Sequence, residues 1–151
     1  MAQSLAKLLV HLIYSTKNRE PLLKDDVLRD ELHRYSAGIL KEWDSPAILI
    51  NSVDDHVHIL FLPSKKHALI RIVGEVKKGS SKWLKSKAPS LANFHWQNGY
   101  GAFSVSQSGV DDLGKYIANQ KEHHRHRTFQ EEFREFLKRY EVTYDERYVW
   151  D

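Results

Sequence analysis

Two apolar runs separated by a pair of acidic residues constrain the fold of this chain more tightly than anything else in it. Residues 45–53 (SPAILINSV) and 56–62 (HVHILFL) both carry the apolar, β-branched pattern of a strand. Asp54-Asp55 between them leaves room only for a short polar turn, so the two runs are expected to pair as antiparallel neighbours. Residues 5–16 (LAKLLVHLIYST), closed by the turn-like KNREP, read as an earlier buried strand, and residues 100–109 (YGAFSVSQSG) as the last one.

Helical patterns fill the spaces between these strands. Residues 25–43 place Val27, Leu28, Leu32, Tyr35, Ile39 and Trp43 at helical spacing, with Asp25 and Asp26 suited to the N-terminus. Residues 67–87 (HALIRIVGEVKKGSSKWLKSK) read as a helix with a basic second half, interrupted near Gly79, and residues 88–101 as a loop. Residues 110–127 (VDDLGKYIANQKEHHRHR) read as a polar helix. Residues 128–140 open on Thr128 and Glu131, a capping-box signature, and carry Phe129, Phe133, Phe136, Leu137 and Tyr140 at helical spacing.

The order β, α, β, β, α, β, α, α predicts an α+β chain, a ferredoxin-like or RRM-like antiparallel sheet with helices packed mainly on one face. With 151 residues and 41% hydrophobic content the expectation is a single domain over 1–151, with a C-terminal helical extension at about 128–151. No run reaches the roughly 18 apolar residues of a membrane span, and the N-terminus lacks a secretory cleavage pattern, so a cytoplasmic location is expected. The absence of cysteine excludes disulfides and thiolate ligands, leaving nitrogen and oxygen donors for any metal. A net charge of +3 leans mildly toward a polyanionic partner.

The candidate chemistry starts at His56 and His58, which alternate on a strand and therefore project from one face. With 9 histidines in the chain such a pair arises by chance about once in two chains of this length, so the spacing alone does not decide between a metal half-site and structural histidines. Tyr116 and Gln120 stand four residues apart, which on a helix presents a hydroxyl and an amide on one face. A His, His, Gln set with open positions suits Mg²⁺ or Mn²⁺. No dedicated general base is evident; His123 is the nearest candidate, with a solvated helix position as the alternative.

DHVHILFL followed downstream by GKYIANQ resembles the HUH and tyrosine motifs of the single-tyrosine HUH transposases of small insertion sequences, which are related to the REP-associated tyrosine transposases. LLVHLIYSTKNREPLL, VKKGSSKWL and FHWQNGYGAFSVSQS resemble the same family. The resemblance implies an HUH nuclease fold, His56, His58 and Gln120 as ligands of a divalent metal, Mg²⁺ or Mn²⁺, and Tyr116 as nucleophile. It further implies a covalent 5′-phosphotyrosine on single-stranded DNA with hairpin ends, no nucleotide cofactor, and a homodimer in which one subunit's tyrosine helix can complete the other's site.

Lys77, Lys78, Lys82, Lys85 and Lys87 crowd one helix with Trp83 among them, a face that fits a DNA backbone or simply solvent. Residues 123–127 (HHRHR) form a second basic cluster that contains another H-x-H. Beside the enzyme stand two further readings, a catalytically silent module that binds structured single-stranded nucleic acid and a hydrolase whose histidine pair activates water. The segment after Thr128 exceeds the needs of a minimal catalytic core, leaving dimer contact, core packing or partner binding as its role.

Overall fold

The expected hairpin forms, and a sheet grows outward from it. A computed structural model describes residues 2–151. Its strands are β1 (Val10–Ser15), β2 (Ala47–Ser52), β3 (His56–Phe61) and β4 (Gly101–Ser104), all antiparallel to their neighbours in the order β2-β3-β1-β4. The helices are α1 (Asp26–Glu42), α2 (Leu69–Lys85), α3 (Val110–Ala118), α4 (Gln120–His123) and α5 (Phe129–Arg139). This is the split-βαβ, ferredoxin-like arrangement, α+β as expected. Among the described residues no helix is long and apolar enough to cross a membrane.

Strand alternation sorts the side chains onto two faces with different fates. Leu12 and Tyr14 of β1 and Val57, Ile59 and Phe61 of β3 point to the face covered by α1 and α2. There they join Leu32, Leu40, Ile72, Val73, Val76 and Leu84 in the main core. Burying each such side chain contributes about 1.5–3 kcal/mol. The α1 and α2 axes come close at Gly79, where a Cβ would stand 2.7 Å from Ile39 Cδ1. The expected interruption of α2 there does not occur: the glycine serves close helix approach, and α2 runs unbroken from Leu69 to Lys85.

The other face presents His11, Ile13, His56 and His58, and it is not left bare. Ile13 and Phe103 pack against Phe129, Phe133, Phe136 and Leu137 of α5. Helix α5 begins at a cap in which Thr128 Oγ1 accepts from the backbone N–H of Glu131. The tail follows it down: Trp150 packs on Phe133, and the Asp151 carbonyl accepts from the Gly99 N–H at 2.8 Å. Helix α5 and Trp150 thus pack on the second face, while Val142, Tyr144 and Tyr148 between them lie exposed.

Three element boundaries differ from the sequence pattern, each for a register or hydrogen-bonding reason. β1 begins at Val10 because both its neighbours end opposite that residue, at Phe61 and Ser104, and Leu5 and Leu8 before it lie exposed. β4 stops at Ser104 for the same reason, and Ser106 then caps a 3₁₀ turn by accepting from the Gly109 N–H. The helix expected over 110–127 bends at Asn119, whose φ of −97° and ψ of 26° separate α3 from α4.

Gly101 on β4 marks where α5 seats, since a Cβ there would overlap the Phe133 ring, standing 2.8 Å from its Cζ. Gly101→Ala is therefore expected to lower stability in urea unfolding by about 1–3 kcal/mol, as overpacking does. A loss below about 0.5 kcal/mol would show that α5 does not rest on β4.

Candidate metal centre

The residues of the second face converge on one carboxylate. Glu132 of α5 is fully buried, and its Oε1 lies 3.0 Å from His58 Nε2, 3.2 Å from His124 Nε2 and 3.3 Å from His56 Nε2. One ligand atom from each of His56, His58, His124 and Glu132 can be chosen so that all four lie within 4.8 Å of one another. Sequence pattern brings two of these residues to one strand face; the bend at Asn119 and the docking of α5 bring the other two.

Each imidazole is oriented from behind. His56 donates from Nδ1 to Asp55 Oδ1 at 2.6 Å, and His124 donates from Nδ1 to the Arg127 carbonyl at 2.9 Å. His58 Nδ1 faces Nε2 of the buried His11 at 2.8 Å, the rings stacked with centroids 5.1 Å apart. Since a carboxylate and a carbonyl only accept, His56 and His124 carry their protons on Nδ1, and when neutral each turns an Nε2 lone pair toward Glu132. Such backing of imidazoles is the usual outer-shell pattern of metal-ligating histidine.

Protonation preferences follow the surroundings. Burial opposes the charge on Glu132, yet the imidazoles of His124, His56 and His58 around it hold its carboxyl far below the usual carboxylate range. Burial pushes His58 down to about 4, and it lowers His11 in the same direction. Burial works against the charged form of His56 too, but the carboxylates of Asp55 and Glu132 outweigh it and shift this residue upward.

Tyr116 sits on the rim of the same cluster. Its hydroxyl donates to Glu132 Oε2, Arg127 Nη2 donates to the Tyr116 oxygen at 2.8 Å, and the ring lies 6.1 Å from that of His58. Burial first, and then the negative Glu132, push the phenol upward, with Arg127 opposing. The end of α3 is pinned over the sheet by Asn51 of β2, whose amide donates to the Ile117 carbonyl at 2.7 Å. His123 stacks on the Tyr116 ring at 4.4 Å and does not hydrogen-bond its hydroxyl.

Gln120 is fully buried beside the cluster, its Oε1 3.1 Å from His124 Nε2. It heads α4, across the bend from Tyr116, so the two do not share one continuous helix. The basic residues of α2 lie elsewhere, because α2 packs on the face of the sheet opposite the histidines. Lys78, Lys82 and Lys85 are exposed there, and Trp83 stacks on Tyr35. Lys77 turns inward to donate to the carbonyls of Gln97, Asn98 and Gly99, and burial lowers it to about 8.

Sequence reasoning missed Glu132, Arg127 as a tyrosine partner, His11 and Asn51. The signal for Glu132 was a carboxylate on the apolar side of α5, adjacent to Phe133 and one helical turn from Phe129 and Phe136. His11 shares strand parity with Ile13 on a strand paired to β3, which was legible once that pairing was known.

An imidazole-carboxylate cluster thus lies on one face of a ferredoxin-like sheet, with a tyrosine at its rim. The family described as "Transposase IS200 like" matches residues 4–120, and the chain belongs to that family. Its fold is similar to the crystal structure of a candidate transposase from Deinococcus radiodurans R1. The two share 26% identity at a TM-score of 0.62 over 80% of this chain and 95% of the other. It is similar too to a REP-associated tyrosine transposase bound to a REP hairpin, at 13% identity and a TM-score of 0.61, over 82% of this chain and 73% of the other. No curated protein matches the chain. The family match ends at Gln120, so His124, Arg127 and the whole of α5 lie beyond it.

The buried imidazoles make acid sensitivity measurable. His58 takes a proton at about 4 when folded and at 6.5 when unfolded, so between these values the unfolded chain binds a proton that the folded chain refuses. Stability of the metal-free chain in EDTA should fall as pH drops from 6.5 toward 4 and be independent of this group above 6.5. In His58→Gln the same stretch of the pH-stability profile is expected to be shallower; an unchanged slope would remove His58 as its source.

Proposed function

We propose that this chain is a transposase that cuts and rejoins single-stranded DNA through Tyr116, assisted by a divalent metal, Mg²⁺ or Mn²⁺, at the histidine cluster. The observation that carries the reading is the direct link between the Tyr116 hydroxyl and the carboxylate shared by His56, His58 and His124. The donors are nitrogen and oxygen, their imidazoles are backed by Asp55, His11 and the Arg127 carbonyl, and Nε2 of the fully buried His56 makes no aligned hydrogen bond among the described residues. These features fit a divalent cation. His56 and His58 would hold it, with Gln120 as the further protein ligand on the family resemblance. When bound, such an ion supplies Lewis acidity at a phosphate oxygen beside the nucleophile.

The chain's own residues handle the rest. Arg127 and Arg139 line a groove that reaches Tyr116 together with Ser104 and Ser106, an opening suited to a phosphodiester, although Asp112 and Glu135 share its wall. In the reaction the Tyr116 oxygen attacks phosphorus, the P–O3′ bond breaks, and the 3′ oxygen leaves as a hydroxyl with the proton given up by the phenol. Arg127, already donating to that oxygen, favours the phenolate. Attack by another 3′-hydroxyl reverses the step and joins strands without a nucleotide cofactor.

The family resemblance adds hairpin-ended DNA and a homodimer. Tyr116 lies against the histidines of its own chain, which is compatible with cleavage within one subunit. Lys78, Lys82, Lys85 and Trp83 offer a basic, aromatic surface for DNA backbone on the far side of the sheet, while Lys77 is engaged with its own chain.

Covalent capture tests the reading: end-labelled single-stranded DNA from the gene's own flanks, incubated with the protein and Mn²⁺ or EDTA, then resolved under denaturing conditions. The expected result is a metal-dependent adduct that disappears in Tyr116→Phe. Binding without an adduct would favour a silent nucleic-acid module, and an adduct that survives Tyr116→Phe would remove the tyrosine as nucleophile.

A further inference from the structure

We infer that Glu132 and His124, both beyond the family-matched segment, are direct ligands of the metal, so that the C-terminal helix α5 is a structural part of the metal centre. The inference rests on the metal-binding part of the reading above and is independent of the Tyr116 chemistry.

The distances carry it. Ligands about 2.1 Å from a common ion stand about 3.0 Å apart along an octahedral edge and about 3.4 Å apart along a tetrahedral one. The three Nε2 to Oε1 separations of 3.0, 3.2 and 3.3 Å span that interval. Glu132 Oε1 thus lies at a ligand-to-ligand spacing from each of the three imidazoles, and the four donor atoms fall within 4.8 Å of one another.

A second observation comes from the side chains themselves. His56 is fully buried, with Nδ1 committed to Asp55, and its Nε2 lies 3.3 Å from Glu132 Oε1 without an aligned hydrogen bond. Within the cluster this Nε2 is the buried imidazole nitrogen left without a hydrogen-bond partner among the described residues, a position that a bound cation would fill. Charge points the same way. In the absence of DNA, a dication held only by His56, His58 and the neutral amide of Gln120 would be buried without a directly bound counter-charge. Glu132 supplies one negative charge as a ligand, and Asp55 supplies another behind His56.

Three imidazoles with one carboxylate also bias the choice of ion. Mg²⁺ prefers oxygen donors and keeps its waters, whereas imidazole suits first-row transition ions. The proposed set therefore favours Mn²⁺, Co²⁺ or Zn²⁺ over Mg²⁺.

The test is titration of the full, metal-free chain with Mn²⁺ by calorimetry and with Co²⁺ by visible absorption, alongside Glu132→Gln, Glu132→Asp and His124→Ala. Melting in EDTA identifies which variants remain folded. The expected result is one ion per chain, Mn²⁺ affinity reduced at least about tenfold in Glu132→Gln and in His124→Ala, and an altered Co²⁺ spectrum in Glu132→Asp. Folded Glu132→Gln that binds Mn²⁺ as tightly as the parent chain, or more tightly, would overturn the inference, because the carboxylate would then merely fill the centre until an ion displaces it. A parent chain that binds neither ion would overturn it as well. Metal binding that depends on Glu132 with no covalent adduct would leave this inference standing while the strand-transfer reading fails.

Discussion

The carboxylate of Glu132 is the junction on which the second half of this structure depends. One of its oxygens meets three imidazoles and the other receives the Tyr116 hydroxyl, so strand β3, the bend after α3 and helix α5 are tied at one buried group. A lone buried carboxylate would be strongly destabilising; surrounded by partners it favours the one placement of α5 that keeps them. The aromatic contacts of Phe129, Phe133 and Phe136 provide the burial that holds the helix down, and Glu132 fixes where it sits. Packing and chemistry here are the same set of contacts.

The order of elements, the hairpin and the class of fold were legible in the sequence because they rest on local periodicity and on a two-residue turn that permits a single pairing. The histidine pair was legible for the same reason, as strand parity alone puts His56 and His58 together. What periodicity could not reveal was that the second face of the sheet would be covered by the chain's own C-terminus. Glu132 reads locally as one of two acidic residues in the first turn of α5, a place where such residues are normally solvated. Only the docking of that helix converts it into the centre of the site. The bend at Asn119 escaped notice because VDDLGKYIANQKEHHRHR has no proline at that point, and a small shift in φ and ψ suffices to redirect the chain.

Lys77 carries a related lesson about charge runs. In sequence it belongs to a basic helix face, yet in three dimensions its ammonium closes the 97–99 loop and lies over the rings of Tyr14 and Tyr100. Its neighbours Lys78, Lys82 and Lys85 remain exposed. A helix in which one lysine faces in and the rest face out divides a single composition signal into a structural part and a surface part, and only the 3.6-residue repeat together with the loop opposite separates them.

The placement of the cluster under α5 has a consequence for rate. His56, His58 and Glu132 are shut off from solvent, and His124 alone keeps a small exposure, 11% of its side chain. An ion that enters or leaves passes that edge or the Tyr116 rim, or waits for α5 to lift away, and the frequency of such sub-global openings is set by the aromatic packing of the helix. Exchange at the centre is then timed by the breathing of the C-terminus, and two chains with identical donor atoms but different packing beneath α5 would differ in how quickly they load and unload.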